Sequence, residues 1–167
     1  MTAAGQRPAV TLRRARADDV DRVMEWRNDG DAVRFSVTGR PVSEAEHRRW
    51  FTAVLADADL RLWIAEEAGE AVGQVRLDVT EGTGTVSIAV ARKHRGRGIA
   101  ETMLRALIKV VAADGDLRCL KALTHPDNVS SLRAFERAGF RRRDAPEGGF
   151  LVLLREMAAG ARPGEPR

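Results

Sequence analysis

The residues Arg95, Gly96, Arg97, Gly98, Ile99 and Ala100 combine the two residue types best suited to holding an anion against the backbone. Glycine lets the chain approach a ligand closely and take angles that other residues avoid. Ahead of the loop, Val86, Ile88 and Val90 recur at every second position and fall on one face of a strand. Behind it, Met103, Leu104, Leu107, Ile108 and Val111 follow at helical spacing. The segment reads strand, tight turn, helix. The first amides of a helix have no intrahelical acceptor and stand at the positive end of its dipole, so such a loop suits phosphate oxygens. Arg92, Lys93, Arg95 and Arg97 add positive charge, and a pyrophosphate is the expected guest. No Gly-Lys-Ser/Thr follows at the gap of a Walker A motif, and the third glycine of a dinucleotide fingerprint is missing.

Further along stands Thr124-His125-Pro126-Asp127-Asn128-Val129-Ser130-Ser131, leading into a helical stretch that ends at Gly139-Phe140. Together with Arg95, Gly98 and Ala100 it resembles the GCN5-related N-acetyltransferases (GNAT). In that family Arg or Gln, two residues, Gly, one residue, then Gly or Ala forms the coenzyme A loop, and Asn followed by Ser precedes the next helix. The resemblance covers the chain from its first strand to Glu156. It implies acetyl transfer from acetyl-CoA to a primary amine by direct attack in a ternary complex. It also implies an α/β (α+β) fold in one domain, with a mixed, mostly antiparallel sheet of roughly six to seven strands flanked by about four helices. The sheet would splay at the cofactor site. Ile88, Ala89 and Val90 would then pair with the pantetheine like a missing strand, and the amides from Arg95 to Ala100 would seat the pyrophosphate. Asn128 and Ser131 are implied as cofactor contacts or water ligands, although Asn128 has equally the chemistry of a helix cap.

The chain departs from this pattern where proton transfer is concerned. Many GNAT members carry Glu on the strand before the loop, and the matching position here is Thr85. Many carry Tyr on the last helix, and that position is Phe135. There is no tyrosine anywhere in the chain. No catalytic residue is therefore assigned, with His47 as the one candidate. By helical spacing it shares a flank with Trp50, Phe51, Val54 and Leu55. It could be a satisfied helix-face residue, a substrate contact or a proton shuttle.

Trp26, Arg27, Asn28, Arg34, His47 and Trp50 are the expected acceptor contacts. Their surroundings look most like acetyltransferases of nucleotide-linked amino sugars, such as those of pseudaminic acid biosynthesis, and also like ribosomal-protein alanine acetyltransferases. Guanidinium to phosphate and ring to base would suit a sugar nucleotide. The bland alternative is a tryptophan packed on the core with solvated arginines.

Positioning these groups requires an opening strand at Val10 to Arg14 and a helix capped by Asp18 with an inner stripe of Val20, Val23 and Met24, ending near Asn28-Asp29-Gly30. A capping box of Ser43 and Glu46 starts the next helix. Arg61 to Glu66 and Ala71 to Val79 read as a hairpin leading into the strand before the loop. Leu117 to Leu123 returns as a strand, giving a right-handed parallel crossover. A short helix and a closing hairpin across Pro146 to Gly149 complete the domain, set at residues 9–157. Residues 1–8 are expected to be flexible and 158–167 disordered.

With 167 residues, 44% of them hydrophobic, one core is possible. No apolar run approaches the ~20 residues of a membrane span, and a cytoplasmic protein without membrane partners is expected. The lone Cys119 gives neither a disulfide framework nor a metal site and reads as a structural thiol. A net charge of +4 permits anionic partners, but no aromatic-basic stripe points to nucleic acid. The expected partner is a small-molecule amine, with a homodimer possible. Two other classes stay open: a non-catalytic acyl-CoA-binding module, and a basic nucleic-acid binder using Arg92 to Arg97.

Overall fold

Ala68 and Gly69, then Glu81 and Gly82, all take positive φ, between 49° and 79°. That is the geometry of two-residue hairpin turns whose twist matches the flanking strands. They fold β2 (Leu60–Glu67), β3 (Glu70–Thr80) and β4 (Thr83–Val90) into an antiparallel meander, with β1 (Val10–Arg14) on the outer edge of β2. The chain then crosses through α4 (Ile99–Asp114) to β5 (Cys119–Thr124), which lies parallel to β4. After α5 (Val129–Arg137), the short β6 (Arg141–Arg142) and β7 (Leu151–Glu156) close a seven-stranded sheet of order β1-β2-β3-β4-β5-β7-β6. The computed structural model describes residues 9–158. The segment 1–8 expected to be flexible, and the expected disordered tail from residue 159 onward, lie outside the described residues. No helix among the described residues is long and apolar enough to cross a membrane.

The sheet is covered unequally. On one face Trp63, Val75, Leu77 and Val86 pack against Met103, Leu104 and Leu107 of α4 and Leu132 and Phe135 of α5. On the other face α1 (Val20–Arg27) and α3 (Glu44–Ala56) bring Val23, Phe51 and Val54 onto Leu62 and Ile64 of β2. The second cluster is small and leaves the same face of β3, β4 and β5 without an apolar roof.

α3 begins as its sequence demands: Ser43 Oγ accepts from the Glu46 amide at 3.2 Å, and Glu46 returns a bond to the Ser43 amide at 2.9 Å. Arg40, then the Ser43 contacts, hold the Glu46 carboxyl down to about 2. Other expectations shift. Asp18 is exposed in a helical turn and caps nothing, because its neighbour Asp19 is taken up by Arg13 and the Arg16 amide before α1 begins. Gly30 does not stop α1; it opens a short α2 (Gly30–Arg34), with Asp29 accepting from the Asp31 amide. Leu55 is exposed, although helical spacing puts it on the flank of Phe51 and Val54, which are buried.

Arg13 grips both oxygens of Asp19, at 2.8 and 2.9 Å, and Asp19 is 1% exposed. The bond from Arg13 outweighs burial and lowers the Asp19 pKa. A lowered folded pKa means that the contribution is full above the unfolded value near 3.9 and is lost as pH falls below it. Asp19→Asn should cost about 2 kcal/mol at neutral pH, between the usual exposed and buried pair. Thermal melts should show this difference beginning to shrink as pH falls below the unfolded value and continuing to shrink through the lowered folded pKa, and a gap that stays constant with pH would contradict it.

Candidate active site

β4 and β5 pair only from Thr83 with Cys119 to Val86 with Ala122. Beyond that, β4 stays on β3 as far as Val90 opposite Gly73, and β5 stays on β7 as far as Thr124 opposite Leu151. The two strands therefore part, and a gap opens beside Ser87 to Val90. The Ala91 amide donates to Val72 on the β3 side. Because successive residues of a strand direct their backbone groups to alternate sides, Ile88 and Val90 face the gap and Ala89 faces β3. The Val90 carbonyl already accepts from Arg95 Nε at 3.1 Å.

The loop beyond β4 makes one helical turn (Arg92–His94) and then bends at Gly96 and Gly98, with φ of 76° and 75°. Gly98 is the residue immediately before α4. A Cβ placed at either glycine would meet nothing within 4 Å. The helix mouth is thus open to the outside, with the early α4 amides free of intrahelical acceptors. The fit to a diphosphate is good.

The side chains of the loop are already engaged. Arg92 and Arg95 both bind Asp29, at 2.9 Å each, and Arg95 also reaches Asp31 at 3.1 Å. Lys93 pairs with Glu70, and Arg97 with Glu67 at 3.0 Å and His94 Nδ1 at 3.2 Å. Burial pushes the Asp29 pKa up, yet the bonds from Arg95 and Arg92 leave it below the ordinary value. The positive charge expected from these four residues is largely neutralised by ion pairs, so an anion at this helix mouth would meet mainly backbone amides.

A second feature lies on the unroofed face. Gln74 and Arg76 stand opposite Ile64 and Leu62 of β2, so they share the α1 and α3 side of the sheet. Gln74, Arg76 and Asp78 alternate with the buried Val75 and Leu77 and lie opposite Ala89, Ser87 and Thr85 of β4. Gln74 Oε1, Arg76 Nε, Asp78 Oδ1 and Arg27 Nη1 are all buried atoms without a properly aligned hydrogen-bond partner in the protein. Arg76 Nε and Asp78 Oδ1 stand 3.1 Å apart, an ion pair in distance but not an aligned bond. Arg27 Nη2 donates to Thr38 at 3.1 Å. Burial first, then the nearby Arg76 and Arg40, lowers the Arg27 pKa. Arg76 also lies 5.6 Å over the Trp50 ring. At the β5 end, Phe35, His125 and Phe150 form an aromatic row with centroids 5.4 and 5.8 Å apart.

The expected acceptor residues divide. Arg27 and Trp50 belong to this wall. Asn28 does not: its side chain donates to the Val42 carbonyl and accepts from the Val42 amide, at 2.9 and 2.8 Å, and acts as a clasp. Arg34 lies over the Phe35 ring at 5.0 Å. Trp26 lines a groove of about 750 Å³ beyond β4 with Ala71, Ala91 and Arg92. His47 is 2% exposed, packs between Trp50 and Phe51, and holds the Val20 carbonyl through Nε2 at 2.8 Å. Burial lowers its pKa. It is a packed, satisfied histidine without access to a reacting amine. Asn128 caps α5, its Oδ1 accepting from the Ser131 amide at 3.2 Å. Phe135 lies in the core, edge-on to Phe140. Sequence reasoning missed Gln74, Arg76 and Asp78, and their alternation with Val75, Leu77 and Val79 was the available signal.

The profile of the acetyltransferase (GNAT) domain matches residues 9–141. Aminoglycoside N(6')-acetyltransferase type 1 of Klebsiella pneumoniae is 23% identical over 170 residues, covering 90% of this chain and 85% of its own length. A crystal structure of aminoglycoside acetyltransferase AAC(6')-Ib with coenzyme A superposes with a TM-score of 0.76 at 22% identity, over 89% of this chain and 95% of that one. Spermidine N-acetyltransferase from Vibrio cholerae, solved with CoA and spermine, gives 0.75 at 18% identity, over 87% and 92%. The parted strands, the open helix mouth and the match across most of the domain agree: this chain belongs to the GNAT family and is an acetyl-CoA-dependent N-acetyltransferase.

Proposed function

We propose that the acceptor is a primary amine on an anionic molecule, and specifically a nucleotide-linked amino sugar. The observation that carries this reading is Arg27: a half-buried guanidinium with one nitrogen unpartnered, beside Arg76 and Arg40. Guanidinium groups crowded in this way are stabilised by a bound phosphate or carboxylate and repel a polycation. The Phe35, His125 and Phe150 row offers ring faces for a base. An aminoglycoside, the acceptor named for the curated relatives, would bring several positive charges to this wall.

In this reading the amides of Gly96, Arg97, Gly98, Ile99 and Ala100 seat the pyrophosphate of acetyl-CoA, with Arg95 fixing the loop to Val90 and Asp29. Ile88 and Val90 offer their gap-facing backbone to the pantetheine, Ala89 holds β4 against β3, and Asn128 and Ser131 hold the start of α5 beside it. An amide facing the gap donates to the thioester oxygen, and that bond strengthens as negative charge develops there. The amine lone pair attacks the thioester carbon from the α1 and α3 side. The N–C bond forms, the C–S bond breaks with its electron pair on sulfur, the nitrogen gives up one proton and keeps the other as the amide N–H, and the thiolate gains one.

Free-thiol release from acetyl-CoA tests the acceptor directly, with UDP-glucosamine, kanamycin, spermine and an alanine-ended peptide as candidate amines. The UDP-linked amino sugar should turn over fastest, and a faster rate with kanamycin or spermine would overturn the anionic reading. Arg27→Met should raise KM for UDP-glucosamine by about 10-fold or more, the scale of one charge-assisted contact, with KM for acetyl-CoA unchanged. Gly98→Ala puts a methyl group into the open helix mouth at a positive φ. Calorimetry should show coenzyme A affinity falling at least ~10-fold, against a stability loss near 1 kcal/mol from backbone strain. Unchanged affinity would remove the loop from the cofactor site.

A further inference from the structure

We propose that Asp78 on β3 takes the proton of the acceptor amine, through a chain of bound waters, and so replaces the carboxylate that the strand before the loop lacks. The proposal rests on the acetyl-transfer reading but not on the identity of the acceptor.

Three observations converge on it. Asp78 stands directly opposite Thr85 in the β3–β4 register, so the two side chains rise from the same face of the sheet. Directly opposed residues of antiparallel strands have Cβ atoms about 5 Å apart, so a carboxylate at Asp78 serves the same space as one at Thr85 would. Next, Asp78 Oδ1 is buried without an aligned partner, and the Gln74 Oε1 acceptor two steps further along β3 is likewise unpartnered. Gln74 lies opposite Ala89, beside the gap through which the thioester is reached. The strand thus presents one acceptor oxygen at the reaction point and one carboxylate about two side-chain steps, some 13 Å of strand, away. A water chain bridges such a distance more readily than a direct contact does. Finally, the other carboxylate on this side of the sheet near β5, Glu147, is tied to Lys121.

The charged groups around Asp78 fit the role. On its own strand Arg76 Nε stands 3.1 Å from Asp78 Oδ1, and the cross-strand neighbours of Asp78 are the uncharged Thr85 on β4 and Leu60 on β2. Lys121 lies beyond Thr85 on β5 and is occupied by Glu147. From α1 and α3 the facing groups are Arg27 and the Trp50 ring over Arg76. The proton balance is simple. The ammonium form of the acceptor gives a proton through water to the Asp78 carboxylate, which returns it to solvent. After attack, the proton remaining in excess on nitrogen passes to the thiolate, so one acetylamide, one thiol and one released proton result.

Asp78→Asn and Asp78→Glu test this, with thiol release followed from pH 6 to pH 9.5 using the fastest acceptor among UDP-glucosamine, kanamycin and spermine, and with hydroxylamine, an amine already neutral at pH 7, as the reference acceptor. For the cationic amine, Asp78→Asn should lower kcat about 100-fold at pH 7 with little change in KM. The deficit should narrow as pH approaches that of the free amine. Hydroxylamine should be acetylated by the variant at a rate within a few fold of wild type, and Asp78→Glu should restore part of the loss. A deficit that is constant across pH and equal for hydroxylamine makes Asp78 structural and overturns the proposal, as does wild-type kcat. Calorimetric binding of coenzyme A by both variants separates these results from failure of the acetyl-transfer reading, which would instead show as no binding and no thiol release in the wild-type protein.

Discussion

The register between β4 and β5 ends at Val86 and Ala122, and the rest of the site follows from that ending. A parallel pair loses its ladder only if each strand is held more firmly elsewhere. β4 is held along its whole length by β3, and β5 along its whole length by β7. The backbone of Ile88 and Val90 is then turned toward a gap instead of a neighbour. Backbone polar groups removed from water without partners are costly, so such an edge is stable where water or an extended ligand can meet it. Parting also fixes α4, whose first turn lies where the gap opens and whose Met103 packs close to Gly73 on β3. A Cβ at Gly73 would stand 2.4 Å from the Ala89 carbonyl, so glycine there permits β3 and β4 to approach closely beside the gap.

The two sides of the site are tied together through Asp29. This residue ends the α1–α2 junction, caps α2, and receives both Arg92 and Arg95 from the loop after β4. One residue earlier, Asn28 clasps the Val42 backbone ahead of α3. Arg27 therefore belongs to a junction fixed on one side to the loop after β4 and on the other to the start of α3. Reactions between two bound molecules are sensitive to misplacement of about 1 Å, and these ion pairs tie the loop and the junction together at some expense in loop charge. Arginines that would otherwise attract phosphate at long range act here as struts.

Local chemistry made much of this readable beforehand. The capping box at Ser43, the two-residue turns and the strand, loop and helix around Gly98 are each encoded within a few neighbouring residues, and each formed as expected. The misreadings come from interactions between residues far apart in the chain. Asp18 and Asp19 are both plausible caps; only the distant approach of Arg13 decides that Asp19 is occupied. Asn28 reads as a turn residue, and its clasp on Val42 depends on where α3 begins. His47 has the right chemistry for proton transfer, yet the packing of Trp50 and Phe51 and the Val20 carbonyl close it in. The polar face of β3 was visible as an alternation, but which strands of that face α1 and α3 leave without apolar cover cannot be read from the alternation itself.

Donor and acceptor are recognised by different physics, and this determines how far likeness between chains can carry. In the proposed reading the donor seat is made of amides at a helix mouth and along a strand edge, which depend on backbone path and little on side-chain identity. Similar backbone paths at 22% identity are therefore compatible with the same donor. The proposed acceptor wall is made of side chains, with Arg27, Arg76 and Asp78 projecting from α1 and β3, and the charge of such a wall can be inverted without moving the backbone at all. Opposite charge in such a half-buried wall changes ligand preference by several kcal/mol, since like charges brought together out of water are strongly disfavoured. The fold can thus be shared with aminoglycoside and spermidine acetyltransferases while, in the proposed reading, the acceptor is set by three side chains on an otherwise ordinary strand and helix end.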